Sequence, residues 1–214
     1  NKFITKQGSR LAALAAGVVL FSFTSNAQDL EVGADACVSN RATGKIVFKT
    51  DAGTFKNDQP DIVNRIVNDG VIEFLGNNNT FTATNPGTTE LGLNGTTNRA
   101  PGTVSFASPT STIGTPQNVI AGYYTNLDMT DAGVKDFGAN TVYIGQNYTT
   151  AGGTREYGTS TINYDGGTAT MGSPVAQIVA AENGANSYNN VVFTEDGLKT
   201  LSGFANVDGT TNIA

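Results

Sequence analysis

The chain has 214 residues, 12 basic against 18 acidic, no histidine, no tryptophan and a single cysteine. Charged residues make up only 14 % of it, against roughly 25 % in an ordinary soluble domain. The missing histidine excludes a Ser-His-Asp triad, a Cys-His pair and imidazole-based zinc sites, and one cysteine excludes zinc held by four thiolates. The acidic balance argues against nucleic acid as a partner, because such binding needs Lys and Arg to neutralise phosphates.

Along the chain, residues 1–27 come first and read in three zones. Lys2, Lys6 and Arg10 make a basic start, Leu11 to Phe23 is apolar, and Ser25-Asn26-Ala27 is a small-x-Ala tripeptide. This is the layout of a secretory signal, a helix cleaved between Ala27 and Gln28. A run of 13 apolar residues is short of the roughly 20 needed to cross a bilayer. The expected products are a 1–27 signal peptide and a 28–214 β-repeat domain, secreted to the extracellular space or the outer cell surface, with no membrane attachment after cleavage. The domain holds nine basic and all 18 acidic residues. Cys37 has no intramolecular partner and reads as a small apolar residue.

Beyond the signal, a β-former, a polar residue and an aromatic recur. They appear as Ile46-Val47-Phe48, Ile72-Glu73-Phe74, Val104-Ser105-Phe106 and Ile162-Asn163-Tyr164. Each is a strand of period two, bounded by turn formers such as Asp69-Gly70 and Asp165-Gly166-Gly167. Spacings of 26, 32 and 58 suggest a coil of about 26 to 32 residues, the last taken as two coils. Residues 61–67 and 176–182 carry weak helical spacing, but their Ile and Val content favours strands.

A longer repeat occupies the second half. The segment from Tyr124, YTNLDMTDAGVKDFGANTVYIG, aligns without a gap to that from Tyr188, YNNVVFTEDGLKTLSGFANVDG. Tyr124, Asn126, Thr130, Gly133, Lys135 and Gly145 match Tyr188, Asn190, Thr194, Gly197, Lys199 and Gly209. Val134 and Phe137 face Leu198 and Leu201, so apolar positions stay apolar. Short strands, glycine turns and repeats too small to bury their own apolar face fit a right-handed parallel β-helix, in which stacked coils form one internal column. The alternative is an antiparallel β-sandwich.

This repeat, with the preceding segments QNVIAG and QIVAAE, resembles repeats of secreted β-helical surface proteins of Bacteroidota and related bacteria. Those are similar to autotransporter passengers and adhesins. The resemblance covers about Gly102 to Gly209 and implies architecture, not a ligand. Such proteins commonly run to many coils, so a chain ending just inside a repeat is expected to be a fragment or a short member.

The chemistry-bearing residues give little. Asp128 with Asp131 and Asp58 with Asp61 are the carboxylate pairs a glycosidase would need, but aspartates beside Gly, Ala or Asn are turn formers. No cofactor is expected. Calcium is the ion that stacked Asp and Asn turns suit, although neither the EF-hand spacing nor the GGxGxD repeat is present. Tyr123, Tyr124, Tyr143, Tyr148 and Tyr188 are the rings that a glycan would stack on, with a structural role favoured for the repeat-matched Tyr124 and Tyr188. Lys135 and Lys199 are expected to be solvated or to make polar contacts between coils, and Asn77-Asn78-Asn79 to open an asparagine ladder. The expected function is therefore non-catalytic: an extracellular structural or adhesive protein displaying Thr-, Asn- and Gly-rich turns to glycans, to cell surfaces or to copies of itself. The alternative is a polysaccharide-binding or polysaccharide-cleaving β-helix protein.

Overall fold

The computed structural model describes residues 38–57, 66–83, 102–166, 176–194 and 197–213, with short strand segments at 10–12, 29–32, 90–91, 93–94 and 98–99. Cys37, Asp58 and Asp61 lie outside the described residues.

Period-two alternation of apolar side chains builds one large parallel sheet. Its strands follow chain order: Lys45–Phe48, Val71–Phe74, Thr103–Phe106, Gly122–Met129, Thr141–Thr150, Thr161–Tyr164, Asn190–Phe193 and Thr211–Ile213. The short Glu90–Leu91 strand pairs with Gly122–Met129 alongside this path. Parallel neighbours need a crossover connection, and several crossovers carry strands of their own. Gln117–Asn118, Val134–Asp136 and Thr154–Glu156 form a second parallel sheet, and Gln177–Val179 pairs in parallel with Lys199–Leu201. Among the described strand pairs only Leu93–Asn94 with Asn98–Arg99 is antiparallel. That pattern overturns the antiparallel sandwich: chain-order neighbours run the same way because each returns to the sheet after an excursion, not through a hairpin.

The four predicted signatures are all strands of the large sheet. Ile46, Ile72 and Val104 stand in register, as do Phe48, Phe74 and Phe106. The next steps are shorter than expected, with Val104 opposite Leu127, Leu127 opposite Tyr148 and Val142 opposite Ile162. The span of 58 residues from Val104 to Ile162 thus holds three steps, not two. Leu127-Asp128-Met129 and Val142-Tyr143-Ile144 lack the terminal aromatic, so the signature passes over both strands.

Apolar side chains on one face of the sheet make the core. Phe48 stacks on Phe74 at 5.0 Å and Phe74 on Phe106 at 5.2 Å, and Phe106 meets the edge of Tyr124. A second column runs from Phe137 to Tyr157 at 4.6 Å and on to Tyr188 at 4.8 Å. Each such ring is worth roughly 1.5 to 3 kcal/mol in burial, and each pair about 0.5 to 1.5 kcal/mol more. Before the strands, glycine lets successive layers touch: a Cβ on Gly70 would lie 2.2 Å from the Gly44 carbonyl oxygen. Beside it, Asn40 Nδ2 donates to Asn68 Oδ1 at 2.7 Å and to the Val71 carbonyl, and Asn68 Nδ2 donates to the Thr103 carbonyl.

At the level of local structure one expectation changes and another, strands rather than helices near residues 66 and 177, agrees with the described elements. Arg10–Ala12, at the start of the expected signal helix, is a strand paired in parallel with Asp29–Val32. On its other side Asp29–Val32 pairs in parallel with Thr54–Asn57, and residues 13–28 lie outside the described residues. Ile66–Asn68 and Gln177–Val179 are strands, and the only helical element among the described residues is a 3-10 turn at Gly184–Asn186.

Candidate functional site

Because side chains alternate across a strand, the large sheet has a face opposite the core. Tyr123, Tyr143, Asn163, Val192 and Asn212 stand in register on successive strands. The Tyr143 ring is 39 % exposed, whereas its strand neighbours Val142 and Ile144 are buried in the core. It lies beside Tyr123 with centroids 6.5 Å apart and planes at 16°. Tyr123 donates its hydroxyl to Asp165 Oδ1 at 2.9 Å. Between them Gly145 is required, since a Cβ there would lie 2.2 Å from the Tyr123 hydroxyl oxygen. The result is a fixed phenol over a glycine, a buried carboxylate and an accessible ring beside them.

Polar ladders continue this face. Asn147 Nδ2 donates to Asn126 Oδ1 at 2.7 Å, Ser105 Oγ donates to Asp128 Oδ2, and Thr194 Oγ1 donates to Asn163 Oδ1 at 2.9 Å. Nearer the other end, Lys45 Nζ meets Glu73 Oε1 at 2.7 Å. A surface of aligned amides, hydroxyls and one ring can make many hydrogen bonds and a stacking contact.

The remaining candidates divide by burial. Tyr124 and Tyr188 are fully buried and Tyr148 nearly so. Tyr164 and Tyr188 share a hydroxyl contact at 2.8 Å, as do Tyr148 and Tyr157. Burial pushes the phenols of Tyr124, Tyr148, Tyr157, Tyr164 and Tyr188 well above the ordinary tyrosine range. Asp128 accepts from the Thr130 backbone N–H in a local turn and from Ser105, and Asp131 faces Lys135. Among the described residues, no group of three or more His, Cys, Asp or Glu is arranged to hold a metal ion. Asn77 donates to the Thr115 carbonyl and accepts from Ser108, while Asn79 bridges Gly53 and Gly76. Asn78 Oδ1 accepts from Asn118 Nδ2 at 3.2 Å, one amide rung from the expected segment, and Asn40 with Asn68 and Asn126 with Asn147 make further rungs elsewhere.

Lys135 is the clearest correction among single residues. It is fully buried rather than solvated, set in register between Gln117 and Arg155. Its Nζ lies 3.6 Å from Asp131 Oδ2, an ion-pair separation too long for a hydrogen bond. Among the described residues no hydrogen-bond partner reaches the amine. Burial pushes it down from the lysine range, and Asp131 opposes that shift. Its repeat mate Lys199 makes the expected contact between layers, donating to Gln177 Oε1 at 2.7 Å. Above Lys135, Arg155 forms a buried fork with Glu182 through Nε and Nη2, both at 3.0 Å, and donates to the Gly152 carbonyl. Burial raises Glu182, with Arg155 acting against the shift. Lys135, Arg155 and Glu182 are buried, and the Arg155–Glu182 fork ties together segments 27 residues apart.

Sequence reasoning missed the Arg155–Glu182 pair, Asp165 and the two glutamines. Gln117 Nε2 donates to the Phe74 and Gly76 carbonyls, and Gln177 Nε2 to those of Ile144 and Gln146. The signal for the glutamines was present, since one opens each of the segments QNVIAG and QIVAAE. No protein-family model, curated protein or solved structure matches the chain.

Proposed function

We propose that the chain is a right-handed parallel β-helix serving as a non-catalytic structural or adhesive protein outside the cell, of the kind its repeats resemble. The observation that carries this reading is the large sheet's outer face, where Tyr143 stands among in-register amides and hydroxyls. Exported proteins without disulfides need stability from ladders and packing, which continuous aromatic columns provide. Adhesion on such a face works through many weak hydrogen bonds with one ring stacking on a sugar, and gains strength from repeated engagement. A signal peptide removed after Ala27 delivers the protein to that setting.

The test is binding of the purified chain to a panel of immobilised bacterial and host polysaccharides, alongside Tyr143→Ala. Saturable binding that falls about tenfold or more in the variant supports adhesion through this face. Binding to none of the panel, or binding indifferent to Tyr143, sinks it.

A further inference from the structure

The Thr141–Thr150 strand carries no charged residue in its 10 positions. Val142, Ile144 and Tyr148 turn into the core, while Thr141, Tyr143, Asn147 and Thr149 stand exposed on the outer face. At Gly145, the position of that row without a side chain, the Tyr123 hydroxyl oxygen lies 2.2 Å from where a Cβ would be. The row therefore reads hydroxyl, ring, phenol hydroxyl, amide, hydroxyl, over a length of roughly 26 Å at the usual rise of a strand.

Exposure follows the strand rather than crossing the sheet. On one side Tyr123 is buried and Asn126 and Asp128 are half-buried; on the other Thr161 is half-buried and Asn163 buried. Neither neighbouring strand, Gly122–Met129 or Thr161–Tyr164, contains a lysine or arginine. The carboxylates beside the row are both engaged. Asp165 accepts from the Tyr123 hydroxyl, and the two Asp128 oxygens accept from the Thr130 backbone N–H and from Ser105.

Resting on the adhesive reading above, we propose that the ligand of this face is an uncharged polysaccharide, bound as an extended chain along the Thr141–Thr150 strand. Tyr143 gives a sugar an apolar face to lie on, and Asn147 and Thr149 exchange hydrogen bonds with its hydroxyls. Asn126 Oδ1 orients the Asn147 amide. An exposed line of this length suits a chain of several sugars rather than a single one. Polyuronates and other polyanions are disfavoured, because Asp128 and Asp165 lie beside the row with no cation on these strands to answer them. An amino-sugar polymer gains little from the same groups, since Asp165 is buried and both Asp128 oxygens already accept hydrogen bonds.

The experiment is surface plasmon resonance of the full chain over immobilised hydroxyethylcellulose, galactomannan, dextran, polygalacturonate and glycol chitosan, with Asn147→Lys/Thr149→Lys alongside. Both positions are exposed, so the variant is expected to fold, which its circular dichroism checks. The wild type is expected to bind at least one neutral polymer about tenfold or more tightly than either charged one, with an affinity that holds as salt is raised, because an uncharged ligand leaves no ion pair to screen. The variant, with cations added to the row, is expected to gain about tenfold or more on polygalacturonate. A wild-type preference for either charged polymer, or a neutral affinity that collapses with salt, overturns the uncharged class and leaves adhesion standing. A variant that gains nothing on polygalacturonate removes the Thr141–Thr150 strand as the binding line. Binding to none of the polymers removes the adhesive reading and this inference with it.

Discussion

Tyr124–Gly145 and Tyr188–Gly209 are nearly the same text in two settings, one inside the stack of strands and one at its end. Both place an apolar residue, a lysine and a second apolar residue around a short strand, and both set that lysine opposite a glutamine that caps backbone carbonyls of the large sheet. Yet Phe137 is sealed under Tyr157 while Leu201 stands in solvent. The repeat therefore specifies which way a side chain points, and the following layer decides whether it is buried. The lysines diverge for the same reason. Lys135 is enclosed by the layer carrying Arg155, and Lys199 reaches its glutamine at a half-covered edge.

Paired substitutions break or sharpen this comparison. Phe137→Ala removes a buried ring from an aromatic column and is expected to cost about 3 to 5 kcal/mol in urea unfolding. Leu201→Ala, measured in dilute solution, should stay within about 0.5 kcal/mol. Equal losses at both sites would mean that the terminal copy is covered after all. At the glutamines the copies should agree, because both side chains are buried and each donates to two carbonyls. Gln117→Leu and Gln177→Leu are each expected to cost about 1 to 3 kcal/mol, the penalty of stranding buried acceptors, and a loss at only one would split the repeat.

The lysines should differ in sign. Lys135→Met removes a buried amine that has no hydrogen-bond partner among the described residues and is expected to stabilise by roughly 1 to 2 kcal/mol. Lys199→Met gives up its bond to Gln177 at a cost of about 1 kcal/mol. The pH dependence follows from the downward shift at Lys135. Between its depressed folded value and the ordinary lysine range, the unfolded chain holds a proton that the native chain has released, so this group makes stability rise with pH. That contribution should be missing from Lys135→Met in unfolding curves taken at increasing pH. A variant that keeps the same rise would show that Lys135 is not its source.

The strands were legible in the sequence wherever an aromatic closed the pattern. Ile46, Ile72, Val104 and Ile162 each begin a triplet that the structure sets on the large sheet, since alternation directly reports one buried face. The shorter steps at Leu127 and Val142 were not legible, because Met129 and Ile144 fill the aromatic's place with equally apolar but less conspicuous side chains. Tyr143 and Tyr123 were candidates on chemistry alone. Their different exposure depends on Gly145 and Asp165, which reach Tyr123 only once strands 20 and more residues apart are laid side by side. The buried state of Lys135 was invisible for a related reason, since a lysine in a polar turn reads as solvated until a neighbouring layer closes over it.

The large sheet has a mechanical consequence. Its strands are ordered as they are in the chain, with the last at one edge. A pull applied at Ile213 therefore loads Thr211–Ile213, the outermost described strand, first, and the parallel ladder behind it only once that strand has come away. Every strand so released frees the 20 to 32 residues of its step, or roughly 70 to 110 Å of extended chain. Extension under load is therefore expected in increments, one strand at a time.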